Sequence, residues 1–229
     1  KEITQAAGYY ATFMPKPVAG VNGNGMHVHQ SLFKGERNAF FDKDAPYFLS
    51  KDARHYLAGL LKYIREITSI LNQTVNSYKR LVGGYEAPVY VCWGQMNRST
   101  LVRIPRIREG FENSTRLELR SADPVANPYL AFSVMLAAGL KGIEDQLEPP
   151  EVVEDDIFLL NPAELAERNI ATLPADLLEA VKITEGSSLV REALGDHVFE
   201  KFIENKHIEW DEWRQQVTDY ELRRYLPVL

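Results

Sequence analysis

The sequence predicts an α+β fold: an antiparallel sheet carrying the candidate site residues, flanked by helices, with a helical C-terminal region. Three observations predict it. Short stretches of alternating polarity recur between positions 26 and 121, the period of half-buried strands. Helical spacing of apolar residues runs from Tyr56 to Leu71. From Asn127-Pro128 onward, helix-start signals and helical patterns follow one another. Residues 1–125 therefore hold the sheet and the candidate site segments, and 126–229 are mainly helical. A chain of 229 residues is long enough for one substantial core.

Lys1 to Met14 reads as the end of a helix, capped at Gly8, then a strand over Tyr9–Met14, which is rich in strand formers. Residues 15–32 are the stretch on which the rest is organised. Two prolines lead into a turn with Gly20, Gly23 and Gly25, where backbone can approach closely. In the strand that follows, His27, His29 and Ser31 share one face. Met26, Val28 and Leu32 share the other, with Gln30 as its polar exception. Two imidazoles at i and i+2 suit a metal or phosphate site. A half-buried strand whose histidines bond to their neighbours explains the same pair, and for a bare His-x-His that plainer reading is preferred.

Residues 33–49 read as loop. Ser50 is placed as an N-cap, and Tyr56, Leu57, Leu60, Leu61, Ile64, Ile67 and Leu71 form the apolar face of a helix. His55 is expected at the surface. The segment 76–88, with Gly83-Gly84 and Pro88, is an irregular connection; carrying Arg80 and Glu86 it could be a lid, but on this segment alone a solvated loop is preferred. Residues 89–93 and 99–104 read as strands. Arg98, Arg103, Arg106 and Arg108 cluster there, and their planar forks suit phosphate or carboxylate as well as surface ion pairs. In residues 114–121, Arg116, Glu118 and Arg120 alternate with Leu117 and Leu119. Such a row is either a solvated face or a cleft in which the carboxylate holds a divalent ion, Mg²⁺ or Mn²⁺, and the arginines hold anions.

Asn127-Pro128 starts a helix to about Leu147 that is almost wholly apolar over 129–140 and so is expected to be buried. Asn161 with Glu164 forms a capping-box signal. Helices follow over 174–185, 188–205 and 209–226. His197 and His207 lack companion ligands in sequence.

The formal charge of −6 and the absence of a basic run argue against a nucleic-acid surface. The longest apolar stretch is too short to span a bilayer, so no membrane partner is expected. A single cysteine, Cys92, excludes an internal disulfide framework and fits a reducing cytosol; within an apolar run it reads as a buried small residue. With Lys1 in place of an initiator Met, the chain is expected to begin inside a longer protein.

The run Lys16-Pro17 … Asn22-Gly23-Asn24-Gly25-Met26-His27-Val28-His29-Gln30-Ser31-Leu32 resembles the ATP-site signature of class I glutamine synthetases. Asn76 to Pro88 and the stretch from Asn97-Arg98-Ser99 to Arg120 resemble the family's later blocks, in the family's order, so the likeness covers almost the whole chain. The resemblance implies ATP-dependent ligation of ammonia to L-glutamate through γ-glutamyl phosphate, in the cytoplasm, with Mg²⁺ or Mn²⁺. It implies His27 and Glu118 as metal ligands, and Asn22, Gly23, Arg80 and Arg120 at the glutamate. Arg103, Arg116 and Ser31 fall at the ATP. Arg98 would stabilise the transferring phosphoryl group, and Glu86, on the flap, would shield the intermediate and help form the ammonium site. His29 receives no role.

The same resemblance implies a C-terminal part of the catalytic domain, lacking an N-terminal β-grasp domain and upstream metal ligands. Such a fragment is expected to be inactive alone. The intact enzyme would be a homo-oligomer, a dodecamer, and the fragment of lower order. Gly83, Asn24, Asn113 and Gly94-Gln95-Met96 depart from the family's usual residues. The segment Glu204–Trp210 resembles members without the adenylylated tyrosine, which implies feedback inhibition and a regulatory protein partner. Two other readings stand beside this one: a γ-glutamyl-amine (polyamine) ligase of the same superfamily, and a non-catalytic module that keeps the fold.

Overall fold

The structure, a computed structural model, describes residues 1–84 and 87–229. Its helices are α1 (Glu2–Ala6), α2 (Lys51–Leu71), α3 (Ser77–Arg80), α4 (Pro128–Glu144), α5 (Pro162–Glu167), α6 (Leu177–Glu185), α7 (Ser188–Leu194), α8 (Asp196–Arg214) and α9 (Asp219–Tyr225). The strands are β1 (Val28–Gln30), β2 (Phe33–Lys34), β3 (Arg37–Asn38), β4 (Tyr90–Gly94), β5 (Thr100–Arg103) and β6 (Leu117–Leu119).

Helix α2 is the spine. Ser50 Oγ accepts the Ala53 N–H at 3.1 Å, which is the predicted cap. All seven of the predicted apolar positions are buried. Each large side chain so buried contributes roughly 1.5–3 kcal/mol. Helix α4 crosses α2 where Gly59 faces Gly142: a Cβ on Gly59 would lie 2.2 Å from Ala138 O and 2.8 Å from Gly142 Cα. The backbones therefore meet without intervening side chains. Asn127 Oδ1 caps α4 through Tyr129 N at 3.0 Å, and Asn161 with Glu164 forms the expected capping box.

The four-stranded sheet has the order β1-β6-β5-β4. Strands β1, β6 and β5 are antiparallel in turn, as the α+β reading expects. Strand β4 runs parallel to β5, pairing Tyr90 with Thr100 and Gly94 with Arg103, so the sheet is mixed rather than antiparallel throughout. Parallel neighbours ordinarily need a crossover of a dozen residues or more. Here the chain doubles back over residues 95–99, held by side-chain hydrogen bonds described below.

Other expectations yield to packing. Tyr9–Met14 forms no strand and is largely exposed, Tyr10 at 88 %; strand propensity needs a paired edge to be realised. The loop 33–49 contains the β2–β3 hairpin. His55 is 3 % exposed rather than at the surface, because the first turn of α2 packs under the end of α4, where Nδ1 meets Leu147 O. Helix α4 is buried on one side only; Tyr129, Phe132, Leu136 and Leu140 remain exposed on the other. The helix expected over 188–205 breaks at Gly195, whose φ of 75° is outside the helical region, giving α7 and α8; the last helical stretch likewise divides into α8 and α9.

Candidate active site

Strand register builds the centre of the site. In the sheet His29 lies opposite Glu118, and Glu118 opposite Arg103, so one row of side chains crosses three strands. Two residues along on the same face lie His27 and Arg120. The opposite face carries Val28, Leu117, Leu119 and Val102 into the core. Gln30, the polar exception, is satisfied there by the Tyr56 hydroxyl, which donates to its Oε1 at 2.8 Å.

Glu118 is the hub. Its Oε2 accepts Arg103 Nε at 2.6 Å, its Oε1 meets His27 Nδ1 at 2.9 Å, and Arg120 Nε stands at 3.9 Å. Burial alone would raise its carboxyl, but the hydrogen bond and charge of Arg103, then His27, outweigh it and hold it below the usual carboxylate range. Burial and the Arg120 charge lower the His27 pKa against the pull of Glu118. His27 is therefore neutral at pH 7. With Glu118 ionised, the proton sits on Nδ1 and Nε2 keeps its lone pair. His29 Nδ1 accepts Arg116 Nε at 3.1 Å, and burial, then the arginines, lower its pKa despite Glu118.

The glycine turn sits against Arg80. Asn24 N donates to Pro15 O at 2.8 Å, and the Asn76 side chain accepts Lys16 N and donates to Lys16 O, tying the turn to the start of α3. Arg80 is 5 % exposed. Its guanidinium donates to Ser121 O at 2.7 Å and to Arg120 O at 3.3 Å. A Cβ on Gly25 would stand 2.6 Å from Arg80 Nη2, so that close approach requires glycine.

Two adjoining clefts open over these residues. The larger, about 660 Å³, is lined by Asn22, His27, Arg98, Arg103, Glu118 and Arg120. The second, about 440 Å³, shares Asn22, His27 and Arg120 and adds Gly23, Arg80 and Lys16. Eight of the eleven residues singled out from sequence thus meet in one place. Ser31 and Arg116 are not among the described residues lining either cleft; Arg116 reaches the site only through His29. Glu86 lies outside the described residues.

The larger cleft also takes Gly84, Asn97, Ser99, Asp156 and Phe158, which sequence reasoning did not single out. Asp156 and Phe158 come from the acidic loop after α4. No local motif marks them; only the fold brings that loop to the turn between β4 and β5. Gly25 and Lys16 were legible in the glycine stretch, but their pairing with Arg80 and Val21 O was not.

A neutral imidazole and an ionised carboxylate are suitable donors for a divalent cation that shares its shell with phosphate and water. Among the described residues no group of three or more His, Cys, Asp or Glu is placed to hold a metal ion. The donor set fits such an ion as a partial shell. Cys92, by contrast, is buried, its thiol pushed up to about 11, chiefly by burial, and has no part here.

Comparison with known proteins supplies the family. The family described as "Glutamine synthetase, catalytic domain" matches residues 1–225. The glutamine synthetase of Methanosarcina mazei is 55 % identical over 229 residues, covering 100 % of this chain and 51 % of the relative. That of Thermotoga maritima is 52 % identical over 219 residues, covering 96 % and 49 %. The chain thus spans about half the length of the curated relatives it matches. Among solved structures, a GmaS/ADP complex superposes with a TM-score of 0.88 at 37 % identity, over 99 % of this chain and 51 % of that one; GmaS without ligand gives 0.86. A match over nearly every residue, together with the His27–Glu118–Arg103 row, leads to one conclusion: the chain belongs to the glutamine synthetase family and carries sequence of its catalytic domain.

Proposed function

We propose that the full-length protein carrying this chain ligates ammonia to L-glutamate at the expense of ATP, and that this chain supplies the C-terminal part of the site. The observation that carries the reading is the convergence of Arg98, Arg103, Arg120 and Arg80 on two joined clefts beside the buried carboxylate of Glu118. The family match and the likeness to a GmaS solved with ADP support nucleotide binding, and the arginines of the larger cleft suit its phosphates.

In this reading His27 and Glu118 would hold a divalent cation, Mg²⁺ or Mn²⁺, which supplies charge neutralisation at the ATP phosphates. Arg103 and Arg116 hold phosphate oxygens, with Ser31 near the nucleotide. Asn22 and Gly23 hold glutamate, and Arg80 forks its carboxylate. A γ-carboxylate oxygen of glutamate attacks the γ-phosphorus of ATP; the bond to the bridging oxygen breaks and ADP leaves. Arg98 and Arg120 face the charge that spreads over the transferring group. Ammonia then attacks the carbonyl carbon, inorganic phosphate leaves, and the amine loses a proton. Glu86 is the proposed acceptor for ammonium protons and the shield against water. The working form is a cytoplasmic homo-oligomer, a dodecamer.

The test is ADP release by the full-length protein with ATP, Mg²⁺, L-glutamate and either ammonium, methylamine or putrescine, beside Glu118→Ala. Glutamine formation with ammonium, lowered about a hundredfold or more in Glu118→Ala, is expected. Faster turnover with an alkylamine would move the reading to a γ-glutamyl-amine ligase. Glutamate-dependent turnover by residues 1–229 alone would refute the half-site proposal.

A further inference from the structure

The return between the two parallel strands, residues 95–99, is the least conventional piece of backbone beside the cleft. It reverses the chain within five residues, so its amides cannot be satisfied by a sheet ladder. Three successive N–H groups instead converge on one carboxylate from the acidic loop. Glu154 Oε1 accepts Gln95 N at 2.8 Å; Glu154 Oε2 accepts Met96 N at 2.8 Å and Asn97 N at 3.3 Å. Consecutive backbone amides arranged in this way form an anion nest, and an ionised acceptor makes the bonds charge-assisted.

The next residues are fixed as well. Asn97 Nδ2 donates to Val153 O at 3.3 Å and to Asp155 O at 2.5 Å. Asn97 Oδ1 accepts Ser99 N at 2.8 Å, and Thr100 Oγ1 donates to Asn97 O at 3.0 Å. The carbonyl of Arg98 accepts Arg120 Nη1. Arg98 itself has an exposed side chain in the cleft between two buried neighbours, Asn97 and Ser99. Its main chain is clamped while its guanidinium remains available. Beyond Glu154, the same loop places Asp156 and Phe158 on the cleft wall.

We infer that Glu154 is a positioning residue for Arg98: its carboxylate closes the nest of Gln95, Met96 and Asn97 and so fixes where the Arg98 guanidinium stands in the cleft. Glu154 does not line the cleft. It acts through the turn, and it links the acidic loop to the wall that Arg98 forms. The turnover part of the test rests on the ligase reading; the amide-exchange part does not.

The experiment uses the full-length protein with Glu154→Ala, Glu154→Gln, Arg98→Ala and the Glu154→Ala/Arg98→Ala double variant. Steady-state kinetics are combined with hydrogen exchange at the amides of residues 95–97. In Glu154→Ala, kcat is expected to fall by about tenfold to a hundredfold, the scale of an ångström-sized misplacement, with the KM for glutamate within about threefold of wild type. Exchange at 95–97 should rise. Glu154→Gln, which keeps one acceptor oxygen, should lie between the two. In the Arg98→Ala background, Glu154→Ala should cost nothing further, because residues acting through one group are not additive. Unchanged kcat in Glu154→Ala, or losses that multiply in the double variant, would overturn the inference. If wild type turns over no amine at all, the ligase reading fails, and exchange at 95–97 decides alone: unaltered protection in Glu154→Ala would overturn the role of Glu154.

Discussion

Gly25→Ala is the most direct probe of the glycine turn. The added Cβ would stand 2.6 Å from Arg80 Nη2 and 3.3 Å from its Cζ. Ordinary carbon contacts begin near ~3.5 Å, so the guanidinium must retreat by about 1 Å. The backbone of Gly25 is not left-handed, so alanine adds no dihedral strain of its own. An arginine tip usually moves at little cost, but Arg80 is enclosed and tied to two carbonyls. Its bond to Arg120 O is already 3.3 Å and would pass the limit for a hydrogen bond. Losing one bond from a charged donor costs roughly 1.5–3 kcal/mol, which is about tenfold to a hundredfold in an equilibrium constant. The assay is the glutamate KM of the full-length protein, with glutamate binding by calorimetry. Gly186→Ala is the control, because the nearest atom to its Cβ lies 3.6 Å away. A glutamate KM within about twofold of wild type in Gly25→Ala would refute the placement of the substrate carboxylate at Arg80.

Two further outcomes follow from the packing. Gly59→Ala sets its Cβ 2.2 Å from Ala138 O and 2.8 Å from the Gly142 backbone, atoms that cannot rotate aside. Against about 1 kcal/mol of gained helix propensity, overpacking at backbone should leave a net loss of about 2 kcal/mol, read by urea unfolding; an unchanged midpoint would mean that α2 and α4 part freely. Asp123 is wholly buried, and burial raises its carboxyl from 3.8 to about 6 against the opposing pull of Ser77, the Val125 amide and Arg80. The folded state therefore binds this proton more tightly than the unfolded chain, and its contribution is lost as pH rises from about 4 to about 6, on the order of 3 kcal/mol. Asp123→Asn should flatten unfolding free energy against pH across that window; parallel profiles would refute it.

The sequence made the site rows legible because strand alternation is local. Arg116, Glu118 and Arg120 share a face wherever that strand pairs. The register that sets His29 and Arg103 beside Glu118 is not local, and no motif expresses it. The α2 cap and apolar face were legible for the same reason as the rows. His55 was misread because its burial depends on the segment just past α4, where Leu147 lies 92 residues away. The direction of β4 was misread because a short connection ordinarily means a hairpin. The parallel return is held by Glu154 and by the Asn97 side chain, whose partners lie more than fifty residues away in sequence, so no local pattern announces it.

Charge placement ties these features together. The chain carries a formal charge of −6, a poor start for capturing a polyanion. Yet Arg98, Arg103, Arg120, Arg80 and Lys16 all line the two joined clefts, against the carboxylates of Glu118 and Asp156. The locally positive clefts therefore oppose the sign of the whole. Low-dielectric walls focus such a field, and the acidic remainder discourages anions from settling elsewhere. Within the clefts Glu118 prevents the arginines from repelling one another apart, and it orients His27, which burial and the Arg120 charge keep neutral. Replacing Glu118 would thus remove more than a ligand: it would leave Arg103 without its hydrogen-bonded carboxylate and His27 without its acceptor. The loss should exceed that of any single arginine, because one residue organises both the cationic wall and the donor pair.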